Sequence, residues 1–156
     1  MNQRTAALLL ATWFGCGRSP IAPGTVGSLG ATAVAWVAVG PLGLPMWSMA
    51  VAAAALFFPS VWAAREAEIE AGEHDPSWVV VDEVVGQWLA LAAARPDQLV
   101  DWFLAVVLFR FFDVVKPWPV RRLERLPHGY GVTADDAAAG LCAMIVLAVL
   151  REFVLS

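Results

Sequence analysis

The chain has 156 residues, of which 60% are hydrophobic and only 15% charged, and its mean hydropathy is +0.67. Soluble domains lie nearer half apolar and a quarter charged, so this composition points into a lipid bilayer. The net charge of −4 excludes nucleic acid as the main partner, and the length is that of one domain, residues 1–156.

The chain opens on "MNQRTAALLLATWFGCG", an apolar stretch with one Arg and no A-x-A-like cleavage site after it. It reads as a retained short helix lying at the membrane interface. Cys16 and Cys142 have no metal-site spacing and read as reduced thiols. The loop "GCGRSPIAPGTVGSLG" (Gly15 to Gly30) then runs into the first of five apolar segments, about Thr25 to Gly40, closed by the turn "GPLGLP". The second covers Met46 to Ala64 and the third Val79 to Ala94. "RPDQ" separates the third from the fourth, Leu99 to Val115, and the fifth runs from Ala134 to Leu155. Crossing the hydrocarbon takes roughly 17–25 residues, which the second, fourth and fifth reach or approach. The first and third are short and would need tilt or local thinning. In lipid the backbone must satisfy itself, so all five are read as helices. The expected fold is therefore all-α, an integral-membrane bundle of about four to five membrane helices plus the short N-terminal one. Eight tryptophans suit its two interfaces.

With the N-terminus cytoplasmic and the segments crossing in turn, Arg4, Arg18, Arg65, Lys116, Arg121, Arg122 and Arg125 fall in cytoplasmic loops. Only Arg95 and Arg151 fall on the far side, with Arg110 inside the fourth helix. That asymmetry obeys the positive-inside rule. The same orientation brings five carboxylates to one face: Asp82 and Glu83 at the start of the third helix, Asp113 near the end of the fourth, Asp135 and Asp136 at the start of the fifth. The Gly-rich loop lies at that face too.

Each piece has an ordinary structural explanation. Thr133 and Asp136 are spaced near to a capping box, Asp113 can pair with Arg110 or Lys116 along its helix, and Thr25 can cap the first segment. "REAEIEAGEHD" reads as a solvated helix end, with no catalytic role for His74, and His128 reads as a loop residue. Together the pieces say more. Carboxylates at membrane depth default to function, an oxygen-only donor set suits a hard cation such as Mg²⁺, and a helix start after Gly-rich backbone suits a phosphate. The combination reads as metal-assisted phosphoryl chemistry. Other phosphatase chemistries are absent: six positions after Cys16 and Cys142 stand Ala22 and Ala148 rather than Arg, and no DxD pair offers an aspartyl nucleophile. A small ion or proton carrier and a structural membrane subunit remain as alternatives from other classes.

"GCGRSPIAPGTVGSL", "VVVDEVVGQ", "FRFFDVVKPWPV" and "GYGVTADDAAAG", in that order from Gly15 to Gly140, resemble the successive motifs of the phosphatidylglycerophosphatase A family. The resemblance implies a multi-pass enzyme of the bacterial cytoplasmic membrane, active site on the cytoplasmic side. It would remove the terminal phosphate of phosphatidylglycerophosphate with Mg²⁺, leaving phosphatidylglycerol. The motif acids match at Asp82, Glu83, Asp113 and Asp136, the basic residue at Lys116, and the hydroxyls at Thr25 and Ser28. The metal ligands expected on this basis are Asp82, Glu83, Asp113, Asp135 and Asp136, with Asp82 either a ligand or the general base. Arg18, Ser19, Gly24, Thr25, Gly27, Ser28, Arg110 and Lys116 are expected to bind substrate.

Overall fold

A computed structural model describes residues 2–118 and 120–153 of the chain. Pro119 of the third motif block, and Val154 and Leu155 at the end of the fifth segment, lie outside the described residues. Within them the fold is all-helical, with no strand. α1 (Gln3–Ala11) is followed by a single 3-10 turn at Cys16–Arg18. α2 (Pro23–Val39) starts on a proline, whose fixed φ suits a first helical position. α3 (Ser48–Ala71) runs seven residues beyond the apolar segment read from sequence and stops at Gly72, whose φ of +69° ends it in the left-handed region. α4 (Val81–Leu91), α5 (Leu99–Val115), the one-turn α6 (Val120–Leu123) and α7 (Tyr130–Phe153) complete the chain.

α4 is the axis of the bundle. Nine of its eleven residues are buried, and α2, α3, α5 and α7 all pack on it. Read from sequence as the third membrane segment, it is only roughly 16 Å long at 1.5 Å per residue, about half the hydrocarbon thickness. Protein rather than lipid surrounds it. α7 comes closest: a methyl at Gly140 would lie 2.7 Å from the Gly86 Cα, and one at Gly86 would lie 2.6 Å from the Asp136 carbonyl oxygen. Two glycines thus let the α4 and α7 backbones touch, as small residues do where membrane helices cross. Gly140→Ala is expected to destabilise the protein by about 1–3 kcal/mol through overpacking; an unchanged unfolding midpoint in detergent would show that the crossing has slack.

Polar bonds fix the remaining helices. Trp88 Nε1 donates to the Ala31 carbonyl at 2.9 Å and ties α4 to α2. The buried hydroxyls of Ser60 and Thr133 meet at 3.0 Å and join α3 to α7. Thr133 therefore lies inside α7, which begins at Tyr130, and its hydroxyl faces α3 instead of capping a helix. At the opposite end from these starts, Asp101 is wholly buried; it accepts from Arg95 Nε at 2.8 Å and lies 3.5 Å from Arg151 Nε.

α3 and α7 are both long and apolar enough to cross a membrane, and α2 is a shorter apolar helix. Leu29, Val34, Trp36 and Val37 on α2, Phe103, Val107 and Phe111 on α5, and Leu141, Ile145 and Val149 on α7 are all exposed. So broad an apolar outer surface does not suit water. The protein is a membrane protein.

Candidate active site

A cavity of about 310 Å³ opens where α2, α4 and α7 begin and α5 ends. It gathers carboxylates from three helices. Asp82 and Glu83 reach it from the first turn of α4, Asp113 from the last turn of α5, and Asp135 and Asp136 from the second turn of α7. Asp82, Asp135 and Asp136 are buried. Two cations enter the same space. Arg110 Nη1 bridges Glu83 Oε1 at 3.1 Å and Asp113 Oδ2 at 2.8 Å, linking α4 to α5. Lys116 Nζ lies 2.7 Å from Asp135 Oδ2 and 3.4 Å from Glu124 Oε1. Burial alone pulls the Lys116 pKa down, but the hydrogen bond to Asp135 and the nearby charges of Asp135, Glu124 and Asp136 together outweigh it, and the ammonium is held above its ordinary value. It is a fixed positive charge in the wall.

The two adjacent aspartates have different neighbours. Asp135 is engaged by Lys116 and also accepts from the Asp136 backbone N–H at 2.9 Å. Asp136 instead sits in the field of Asp82 and Asp113. Its position follows from the Gly86–Gly140 crossing one turn further along.

The Gly-rich loop divides. Ala22, Pro23 and Gly24 line the cavity at the start of α2. A methyl on Gly24 would meet the Glu83 carboxyl carbon at 2.8 Å, and one on Gly27 would meet Glu83 Oε2 at 3.0 Å, so both glycines are space for that carboxylate. The other loop residues named from sequence stand outside the lining. Arg18 is exposed, the Ser19 hydroxyl donates to the Ile21 carbonyl at 2.9 Å, and Thr25 is half-buried within α2. Ser28 is wholly buried, its hydroxyl donating to the Gly24 carbonyl at 3.0 Å, a bond internal to α2. Ser28→Ala is accordingly expected to leave kcat within about twofold, since only one local hydrogen bond is lost. A hundredfold fall would put this hydroxyl on the substrate.

Asp75 and Ser77 line the cavity without having been anticipated. The only sequence signal was an Asp-Pro turn dipeptide ahead of "VVVDE". Asp75 adopts a φ of +51°, in the left-handed region, within the loop that joins α3 to α4. Partial removal from water raises its pKa, against the pull of Lys116. His74 pairs with Glu68 and, at 3.3 Å, approaches the Glu124 carbonyl, so it fastens this loop.

Among the described residues no three acidic, thiol or imidazole groups are drawn together as a ready metal cluster. The donor chemistry nevertheless fits a hard cation. The anionic wall is oxygen only, and Asp82 Oδ1 and Glu83 Oε2 are buried with no hydrogen-bond partner. Such oxygens are costly unless something positive meets them.

The phosphatidylglycerophosphatase A family profile matches residues 9–151. The chain belongs to that family. Phosphatidylglycerophosphatase A of Haemophilus influenzae is 36% identical over 94% of this chain and 90% of its own. Its Escherichia coli counterpart is 37% identical over 89% and 80%. A Bacteroides thetaiotaomicron relative, provisionally named a phosphatidylinositol-3-phosphatase, is 42% identical over 92% of both chains. No solved structure matches this chain. Family membership covers all four motif blocks and places the cavity's carboxylates inside the shared region.

Proposed function

We propose that the protein is a Mg²⁺-dependent phosphatidylglycerophosphatase of the bacterial cytoplasmic membrane. It hydrolyses the terminal phosphomonoester of phosphatidylglycerophosphate to phosphatidylglycerol and phosphate. The observation that carries this reading is the cavity itself, in a chain of this family. Five carboxylates, a lysine and an arginine meet at helix ends, next to an apolar outer surface fit for lipid. The basic residues of the loops support a cytoplasmic position for that end of the bundle, and in this reading four to five helices are embedded. An ion-carrier reading would need polar groups near mid-bundle, whereas these acids stand within two turns of helix ends.

Glu83, Asp113 and Asp136 would hold the cation, with Asp135 and Asp82 beside them. When bound, Mg²⁺ supplies neutralisation of the phosphate charge and acidifies a coordinated water. This chain's own residues do the rest. Lys116 and Arg110 draw in the anionic oxygens, and the start of α2 at Pro23 and Gly24 borders the same space, where a helix N-terminus favours an anion. Asp82 accepts the proton of the attacking water. The water oxygen bonds to phosphorus, the ester P–O bond breaks, and the departing glycerol oxygen takes up the proton that Asp82 accepted, directly or through solvent. Catalysis of this kind is mostly positioning and charge neutralisation.

The Bacteroides relative supports a second reading in which the headgroup carries inositol instead of glycerol. Both substrates present a phosphomonoester on a lipid-linked polyol. The test is phosphate release by purified protein with Mg²⁺ from the two lipids side by side in mixed micelles. Faster turnover of phosphatidylglycerophosphate is expected. Turnover of the inositol lipid alone would exchange the two readings, and release from neither would end both.

A further inference from the structure

α2 and α5 run antiparallel and meet only sparsely, and both edge the active-site cavity: α2 through Pro23 and Gly24, α5 through Arg110 and Asp113. Followed away from the cavity, the seam between them opens into an apolar groove of about 480 Å³. Leu29, Thr32 and Trp36 form one bank, and Leu99 and Trp102 the other. At 1.5 Å per residue the α2 bank runs from about 8 Å beyond Gly24 at Leu29 to about 18 Å at Trp36, and the α5 bank, Trp102 and Leu99, lies about 16–21 Å from Asp113. One leaflet of hydrocarbon is about 15 Å deep. A chain hanging from a headgroup in the cavity would therefore lie along the α2 bank and meet Trp102 and Leu99 with its distal end.

The competing groove is poorly connected to the site. Phe57, Phe58 and Leu141 border a smaller hollow of about 280 Å³ between α3 and α7. At the level of the acids, the Ser60–Thr133 hydrogen bond closes α3 onto α7. No comparable polar bond joins α2 to α5 among the described residues.

We propose that the α2–α5 seam seats one acyl chain of the lipid whose phosphate enters the cavity, and that the substrate arrives laterally through it. The proposal deepens the lipid-phosphatase reading and rests on it. Recognition is by chain length and apolar contact along Leu29, Ala33 and Trp36, while the headgroup chemistry stays with the cavity.

Two measurements test it. Full-length protein in phosphatidylcholine vesicles is irradiated with phosphatidylglycerophosphate carrying a mid-chain diazirine, and the labelled peptides are mapped. Labelling that unlabelled phosphatidylglycerophosphate displaces, and added phosphatidylcholine does not, should fall within residues 29–37 and 99–102. Displaceable label on Phe57, Phe58 or Leu141, or none at all, overturns the proposal. Second, Ala33→Trp fills the groove from an exposed position and should raise KM about tenfold for long-chain substrate through lost apolar contact. Its kcat, and its rate on a dihexanoyl substrate, should not change. Equal loss on both substrates, or no change on either, overturns it. Wild-type protein that hydrolyses neither lipid would instead defeat the activity reading; the labelling map needs only binding and then judges the groove alone.

Discussion

Asp113→Asn is expected to lose phosphate release on the order of 10²–10³-fold in kcat while the protein remains folded. Asp113 presents a half-buried carboxylate to the cavity and is held 2.8 Å from Arg110. The amide keeps the size but removes the negative charge, so it no longer offsets Arg110 or serves a cation. Arg110 would still have Glu83 at 3.1 Å, so the α4–α5 link survives. A circular dichroism spectrum and elution profile matching wild type, beside the lost turnover, would separate chemistry from stability. Wild-type turnover in this variant would remove Asp113 from the site.

The second large effect concerns metal removal. Stripping the protein with EDTA is expected to lower turnover by at least about a hundredfold, and Mg²⁺ to restore it. Asp82 Oδ1 and Glu83 Oε2 are buried without partners, and uncompensated buried charge is unfavourable. Cation binding should therefore also raise the unfolding midpoint, in proportion to the logarithm of Mg²⁺ concentration above its Kd. That shift is read without any substrate, and Asp82→Asn should diminish it. Full turnover in EDTA, together with a midpoint indifferent to Mg²⁺, would leave the carboxylates acting without a metal.

Much of this was legible in the chain itself. The bounds of α5 coincide with the fourth apolar segment, because "RPDQ" and "KPWP" punctuate it with prolines on both sides. The meeting of Asp82, Glu83, Asp113, Asp135 and Asp136 at one end followed from counting crossings and basic residues, a global constraint that needs no side-chain detail. Other features depend on tertiary packing. α4 looked like a membrane segment since burial by protein and burial by lipid select the same apolar residues. Its eleven-residue length and central place emerge only once four helices surround it. Ser28 looked like a phosphate ligand by residue type, yet a serine within a helix readily bonds the carbonyl four residues back. Asp75 was hidden in a charged stretch read as solvated: it is exposed, as Glu70 and Glu73 are, yet it alone of the three lines the cavity.

The glycine contact at the centre of the bundle has a mechanical meaning. Asp82 stands four residues before Gly86, and Asp136 four residues before Gly140. α4 and α7 both start at the cavity, so each acid sits on an arm about 6 Å long above the point where the backbones touch. The pair behaves as a scissor with a fulcrum of bare backbone, and the gap between the two carboxylates is set by the angle of the blades. Because both arms are one helical turn, a few degrees of rotation at the fulcrum shifts each acid by only a few tenths of an ångström. The gauge of the jaw is therefore set at the backbone contact itself, with little leverage for a small change of crossing angle to widen it.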